Sequence, residues 1–225
     1  GLVLLKHGLV TFGDVARESH DRMIELVSLA ERRCQRGRKK VFAQARLPQR
    51  LAPLREIAPV LRGRVMDEGG PMVLDFRTAP GIRAFVGGKA LARYGQAGMA
   101  TPDHIIRTRP KPLIVPAPEK DRMADFREAA GKALKRYVAT YKAYFRRQSQ
   151  KRVGEFMPLD PLPRVVLVPG RGLFGLGYTV SEANRAADLA QSNIDTITNA
   201  ERIGRFESIT QSQTFDIETW PLERA

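Results

Sequence analysis

The chain has 225 residues and a formal net charge of +14, with 43% hydrophobic residues and one cysteine, Cys34. That composition supports a packed core and excludes wholesale disorder. It also excludes any disulfide within the chain and fits a reducing compartment. No stretch reaches the roughly 18 uninterrupted apolar residues of a membrane helix, and the short apolar start lacks the basic region of a signal peptide. A cytoplasmic protein with no membrane partner is the expectation. The positive charge is uneven. Residues 31–62 carry ten Lys/Arg against Glu31 and Glu56. Such a surface is either a solvated basic face or a seat for anions. No zinc-finger or RNA-recognition motif accompanies it, so a nucleic-acid partner is not expected.

In chain order, Gly1 to Val10 reads as a single strand covered on both faces, because Leu2 to Leu5 run without alternation. Gly13 breaks it and Asp14 can cap the next helix. That helix has Val15, Met23, Leu26, Val27, Ala30 and Cys34 at the spacing of a buried stripe. Pro48 to Leu61 predicts short helical pieces broken by proline. Met72 to Phe76 predicts a strand, and Ala84 to Tyr94 a short helix. Thr101 to His104 reads as a turn or helix entry. Pro110 to Val115 is broken by proline and then strand-like. Glu119 to Gln148 predicts the longest helix, and Arg164 to Val168 a buried strand. Thr179-x-x-Glu182 is a capping box that opens a helix to about Arg202. Phe206 to Ala225 reads as a linker or tail. Alternating strand and helix place the chain in the α/β class.

Two segments echo each other. His7 to Ser19 lies over Arg171 to Ala183 with Gly8, Leu9, Gly13 and Glu18 meeting Gly172, Leu173, Gly177 and Glu182. This is either one supersecondary unit used twice or two unrelated units that look alike. Gly170-x-Gly172-x-x-Gly175 also has the form of a dinucleotide fingerprint, but a tight glycine turn fits its setting better.

The polar candidates are few. His7, at a strand end before Gly8, is placed either as a metal ligand or as a structural residue. Zinc sites take imidazole nitrogen, but three protein ligands are needed, and His20 and His104 do not obviously complete a set. Asp103 and His104 either flank a site or cap and pack. Arg171 either meets an anion near the glycine turn or is simply exposed. Tyr137, Tyr141 and Tyr144 read as the core and rim of a helix.

The stretch LVLLKHGLVTFGDVARESHDRMIELVSLAE resembles the closing strand and helix of the class II aldolase/adducin family. ATPDHIIRTRPKPLIV, RVVLVPGRGLFGLG, ADLAQSNIDTITNAERIGRFE and FDIETWPLERA resemble one branch of it, the bifunctional rhamnulose-1-phosphate aldolase/short-chain dehydrogenases. The resemblance implies an αβα class II aldolase-like fold truncated at its N-terminus, with a possible second related α/β unit. It implies three parts: 1–45, the end of the aldolase core; 46–205, a second α/β region; and 206–225, a linker towards a missing dehydrogenase domain. It implies that His7 is a ligand of zinc or another divalent metal, with the remaining His ligands and the catalytic Glu upstream. The metal would act as a Lewis acid on a ketose 1-phosphate and stabilise the enediolate left by carbon–carbon cleavage. The implied products are dihydroxyacetone phosphate and lactaldehyde, with NAD used only in the dehydrogenase. The full-length enzyme would be a homo-oligomer, and these 225 residues alone would be inactive. The adducin branch implies the alternative, a non-catalytic interaction or scaffolding module.

Overall fold

The computed structural model describes residues 1–221, apart from the side chains of Pro102 and Asp103. The first element is a hairpin, β1 (Leu2–Leu4) paired antiparallel with β2 (Gly8–Val10). Helix α1 (Ala16–Gln35) follows. Then come α2 (Leu54–Gly69), β3 (Val73–Arg77), α3 (Pro80–Val86), α4 (Leu91–Tyr94), α5 (Pro102–Thr108) and β4 (Leu113–Ile114). A 3-10 turn at Lys120–Arg122 leads into the longest helix, α6 (Met123–Ser149). The chain continues through β5 (Val165–Val168), β6 (Gly172–Gly177), α7 (Val180–Ile203) and α8 (Gln211–Glu218).

Four strands form a mixed sheet in the order β3-β6-β5-β4, with only β4 and β5 parallel. Alternation along β5 and β6 divides the core in two. Val166, Val168, Phe174 and Leu176 join Ile57 and Leu61 of α2 and Phe126 and Leu134 of α6. Val165, Leu167 and Leu173 join Phe85 of α3, Tyr94 of α4 and Ala187, Ala190 and Ile194 of α7. The result is a three-layered α/β/α arrangement, as the α/β class II aldolase-like expectation requires.

The glycines of β6 have a specific use. A Cβ on Gly175 would stand 2.3 Å from the Ala183 carbonyl oxygen and 2.5 Å from the Ala187 nitrogen. Their absence of side chain lets α7 lie directly on the central strand. Gly170, at φ 75, makes the turn between β5 and β6. The GxGxxG run therefore sits in a hairpin and does not open a helix, which rules out the dinucleotide fingerprint.

Several expectations need correction. Gly1 to Val10 is not one buried strand. Lys6, at φ 60, reverses the chain, and both strands face solvent. The physical reason is a tight turn, closed by the His7 N–H donating to the Leu4 carbonyl at 3.1 Å. The stripe on α1 is not buried either: Met23, Leu26 and Cys34 are half-covered and the helix has no buried residue. Asp14 does not cap it by side chain; instead its N–H donates to Glu18 Oε2 at 3.2 Å. Lastly, the segment read as a linker carries α8, opened by a capping box between Thr210 and Gln213. Phe215 is fully buried there against Phe145 and Phe156, with ring centroids 5.1 and 5.2 Å away.

The sequence echo has a geometric counterpart. Each segment is a hairpin followed by a long helix. His7 and Arg171 both close their turns, with N–H···O distances of 3.1 and 3.0 Å to Leu4 and Val168. Lys6 and Gly170 both have positive φ. Glu18 and Glu182 both accept from the backbone N–H four residues earlier, at Asp14 and Tyr178.

Candidate functional site

The residues singled out by sequence do not converge. His7 ends an exposed turn, and Gly8 beside it faces open space, since a Cβ there would meet nothing within 4 Å. The neighbouring Lys6 Nζ donates to the Ser208 carbonyl at 2.8 Å and ties the hairpin to the segment before α8. His20 is exposed on α1 beside Asp21. His104 is buried in the first turn of α5, where its Nδ1 hydrogen-bonds the Thr101 hydroxyl and its carbonyl accepts from Thr108. Asp103 lies at the same helix start, with its side chain outside the described residues. Arg171 reaches across to donate to the Leu51 carbonyl, while its own carbonyl accepts from Thr78 Oγ1 at 2.7 Å.

A metal was expected at His7. Among the described residues no group of three His, Cys, Asp or Glu side chains stands together as a metal would need. One imidazole on an exposed turn is a single ligand, so the described residues do not by themselves fit a three-ligand site.

A concave feature of the fold lies elsewhere. A cavity of about 410 Å³ opens between the 96–114 segment, α6 and the start of α8. One wall is the face of α6 that carries Tyr137, Tyr141 and Tyr144. The opposite wall is apolar, with Ile105, Leu113 and Ile114. Lys111, Arg136 and Arg147 are exposed on its rim. Among the described residues, no Asp or Glu lines it.

The tyrosine hydroxyls are already engaged within the protein. Tyr141 donates to Glu218 Oε1 and Tyr144 to Glu218 Oε2, the latter at 3.1 Å. Glu218 is 1% exposed on α8, so this bond pair pins the helix read as a linker. Tyr137 donates to the Lys111 carbonyl at 2.9 Å. Burial pushes all three phenols well above their ordinary range, and the Glu218 carboxylate reinforces the shift at Tyr141 and Tyr144.

Behind the cavity a buried charged cluster fixes the 109–112 segment. Arg109, at φ 71 and 5% exposed, donates to the Asp160 carbonyl and the Ile106 carbonyl, both at 2.9 Å. Asp160 also accepts from Arg164, from the Tyr178 hydroxyl at 2.8 Å and from the Leu162 N–H at 2.8 Å. Burial lowers the Arg109 pKa, and neighbouring Arg164 adds to that. Burial would raise Asp160, but its bonds to Arg164 and Leu162 outweigh it and hold the carboxyl below its ordinary value. A left-handed non-glycine residue persists only where its surroundings over-determine it, and this one carries the wall formed by Pro110 to Pro112.

Sequence reasoning gave the three tyrosines as helix core and rim, and both descriptions hold, but it missed the cations around them. Their signal was the basic spacing Arg136–Arg147 on the tyrosine side of one amphipathic helix.

Residues 52–225 match a family model described as "Aldolase class II, second domain". The chain is also similar to the "Uncharacterized oxidoreductase YuxG" of Bacillus subtilis (strain 168), at 29% identity over 231 residues. That match covers 99% of this chain and 33% of the relative, so the chain spans about a third of the relative's length. No solved structure matches it.

Proposed function

The chain belongs to the class II aldolase second-domain family, and from that premise we propose that it is part of a metal-dependent aldolase acting on a ketose 1-phosphate. Rhamnulose 1-phosphate is the proposed substrate, and dihydroxyacetone phosphate and lactaldehyde the products. His7 is the zinc ligand this chain contributes. The observation that carries the reading is local: His7 closes a hairpin turn through its backbone N–H, is exposed, and is followed by a glycine with open space around it. The other ligands and the general acid–base Glu are not among the described residues. We assign residues 1–45 to the end of the aldolase core and 46–205 to the second region. Residues 206–225, which carry α8, lead on towards an NAD-dependent dehydrogenase. A relative three times as long whose name says oxidoreductase supports such a fusion. The geometric echo supports a duplicated unit in which Arg171 stands where the first copy has His7.

The test is His7→Ala in the full-length protein. Bound zinc, measured by atomic emission, and cleavage of rhamnulose 1-phosphate should fall together. A variant that keeps its zinc and its full rate removes His7 from the metal. A wild-type protein with neither zinc nor aldolase activity favours the scaffolding alternative, for which the exposed apolar side chains of Leu5, Phe12 and Ile24 provide a docking face.

A further inference from the structure

We propose that the tyrosine-walled cavity between the 96–114 segment, α6 and α8 is a binding site for a small organic phosphate, a phosphate ester with an apolar or planar body. It is independent of His7 and of any metal. Its volume, about 410 Å³, suits a ligand of that size.

The charge argument comes first. Most arginines of this chain that meet a neighbour meet a carboxylate, among them Arg50, Arg64, Arg77 and Arg93. The rim of the cavity breaks that habit. Arg147 meets only neutral oxygens, those of Ala143 and Gln211. Among the described residues, neither Lys111 nor Arg136 has a carboxylate within ion-pair distance. Three cations around one opening, with no acid among its described lining residues, repel each other and raise the local electrostatic potential, which favours an anion. A dianion answers three cations better than a carboxylate does, and the guanidinium fork suits phosphate oxygens.

The lining supplies the second argument. Tyr141 and Tyr144 spend their hydroxyls on Glu218, and Tyr137 spends its own on the Lys111 carbonyl. What these side chains leave for a ligand is carbon surface. A bare inorganic ion would use the rim and leave the wall uncovered. A phosphate ester would use both, its body against the rings and its phosphoryl group at the mouth. The cavity is also built before any ligand arrives. Buried Arg109 and the Tyr137 bond fix one wall, and the Glu218 bonds fix the other. Binding then costs little ordering of the protein.

The experiment is calorimetric titration of the 225-residue chain with phenyl phosphate. Saturable one-to-one binding is expected. Replacing both rim arginines, Arg136→Ala with Arg147→Ala, should weaken it on the order of tenfold, as the loss of charge-assisted hydrogen bonds to an anion does. Lys111→Ala alone should weaken it less. Lys132→Ala serves as the control. Lys132 is exposed on α6 outside the cavity and is paired with Glu128, so its loss should leave binding unchanged. Inorganic phosphate and benzoate should both bind more weakly than phenyl phosphate. No saturable binding overturns the proposal. So does an equal affinity for inorganic phosphate, which would mean an ion on a basic surface and no pocket. Equal affinity for benzoate overturns the choice of phosphate. A double variant that binds like the wild type, or a Lys132 variant that binds as weakly as the double, removes the rim from the site. Failure of the His7 test leaves all of these outcomes unaltered.

Discussion

Gly175→Ala adds one methyl group to the middle strand of the sheet, beneath α7. The new Cβ would stand 2.3 Å from the Ala183 carbonyl oxygen, 2.5 Å from the Ala187 nitrogen and 2.8 Å from the Ala187 Cβ. Two of these three are helix backbone, so no side chain can swing aside. α7 must withdraw by roughly 1 Å to restore ordinary contact, a gap that forfeits a quarter to a half of each dispersion well along the interface. Overpacking of this kind costs about 1–3 kcal/mol. Alanine also restricts the unfolded chain, which offsets about 0.4–1 kcal/mol. The net destabilisation is centred near about 1.3 kcal/mol and reaches about 2.6 kcal/mol at most. Gly8→Ala is the paired control, because a Cβ there meets nothing within 4 Å. With no clash to offset, it should gain about 0.4–1 kcal/mol from the restricted unfolded chain. Urea unfolding followed by far-ultraviolet circular dichroism compares the two, with midpoints shifting at constant slope. If Gly175→Ala is as stable as Gly8→Ala, then close approach of α7 is not why this strand is rich in glycine.

Phe215→Ala empties a fully buried position on α8 and should cost about 3–5 kcal/mol, read from the same urea curves; a loss under 1 kcal/mol would return residues 206–221 to the status of a tail. The paired forks of Arg93 and Glu201, with N···O distances of 2.9 and 2.7 Å, hold the Glu201 carboxyl below its ordinary value, helped by the Phe206 N–H. A depressed carboxyl stabilises the fold above its unfolded pKa of about 4.3, and the gain is lost as pH falls through the lower folded value. Glu201→Gln should therefore be less stable at neutral pH and show a shallower acid limb; an acid limb as steep as that of the wild type would exclude this pair as a source. All five tyrosines are shifted upward, burial being the first cause at each, with Tyr94 held among Phe42 and Phe85. Raised phenols keep their contribution below the unfolded pKa of about 10 and lose it above. Ultraviolet titration of the folded protein should show Tyr94, Tyr137, Tyr141 and Tyr144 ionising well above the ordinary value, and stability should fall as pH rises past that value; any of these four ionising near pH 10 in the folded state would contradict the packing described.

How much of this was readable beforehand depended on the kind of signal. α6 and α7 were legible because long apolar periodicity and the Thr179–Glu182 box are local features of the chain. β6 was not, because GLFGLG reads as a turn when half its positions lack side chains. Only the folding of α7 back onto the strand, with Ala183 and Ala187 against it, explains them. The hairpin hid inside an apolar run because Lys6 adopts a positive φ that composition gives no reason to expect. α8 carried a usable signal, the Thr210-x-x-Gln213 box, but its Ser, Thr and Gln content resembles a linker. The cavity had only a partial signature, the Arg136–Arg147 spacing on α6. Its walls come from three separate stretches, and its cations become a group only after folding. His104 and Arg171 were conspicuous as polar residues among apolar ones, and both turn out to spend hydrogen bonds on nearby backbone or hydroxyl groups.

α1 and α7 follow similar hairpins and share a capping glutamate, yet α7 buries eight residues and α1 none. Heat capacity scanning weighs that difference directly. The usual unfolding enthalpy, about 0.7 kcal/mol per residue near 60 °C, presumes packed residues. Residues 1–40 join the rest through the contact of α1 with α7, Lys6 at Ser208 and Arg38 at Arg202 and Gly204, with no residue of α1 buried. They will contribute little to the main endotherm of the 225-residue chain, which should fall short of its length-based enthalpy by roughly a sixth.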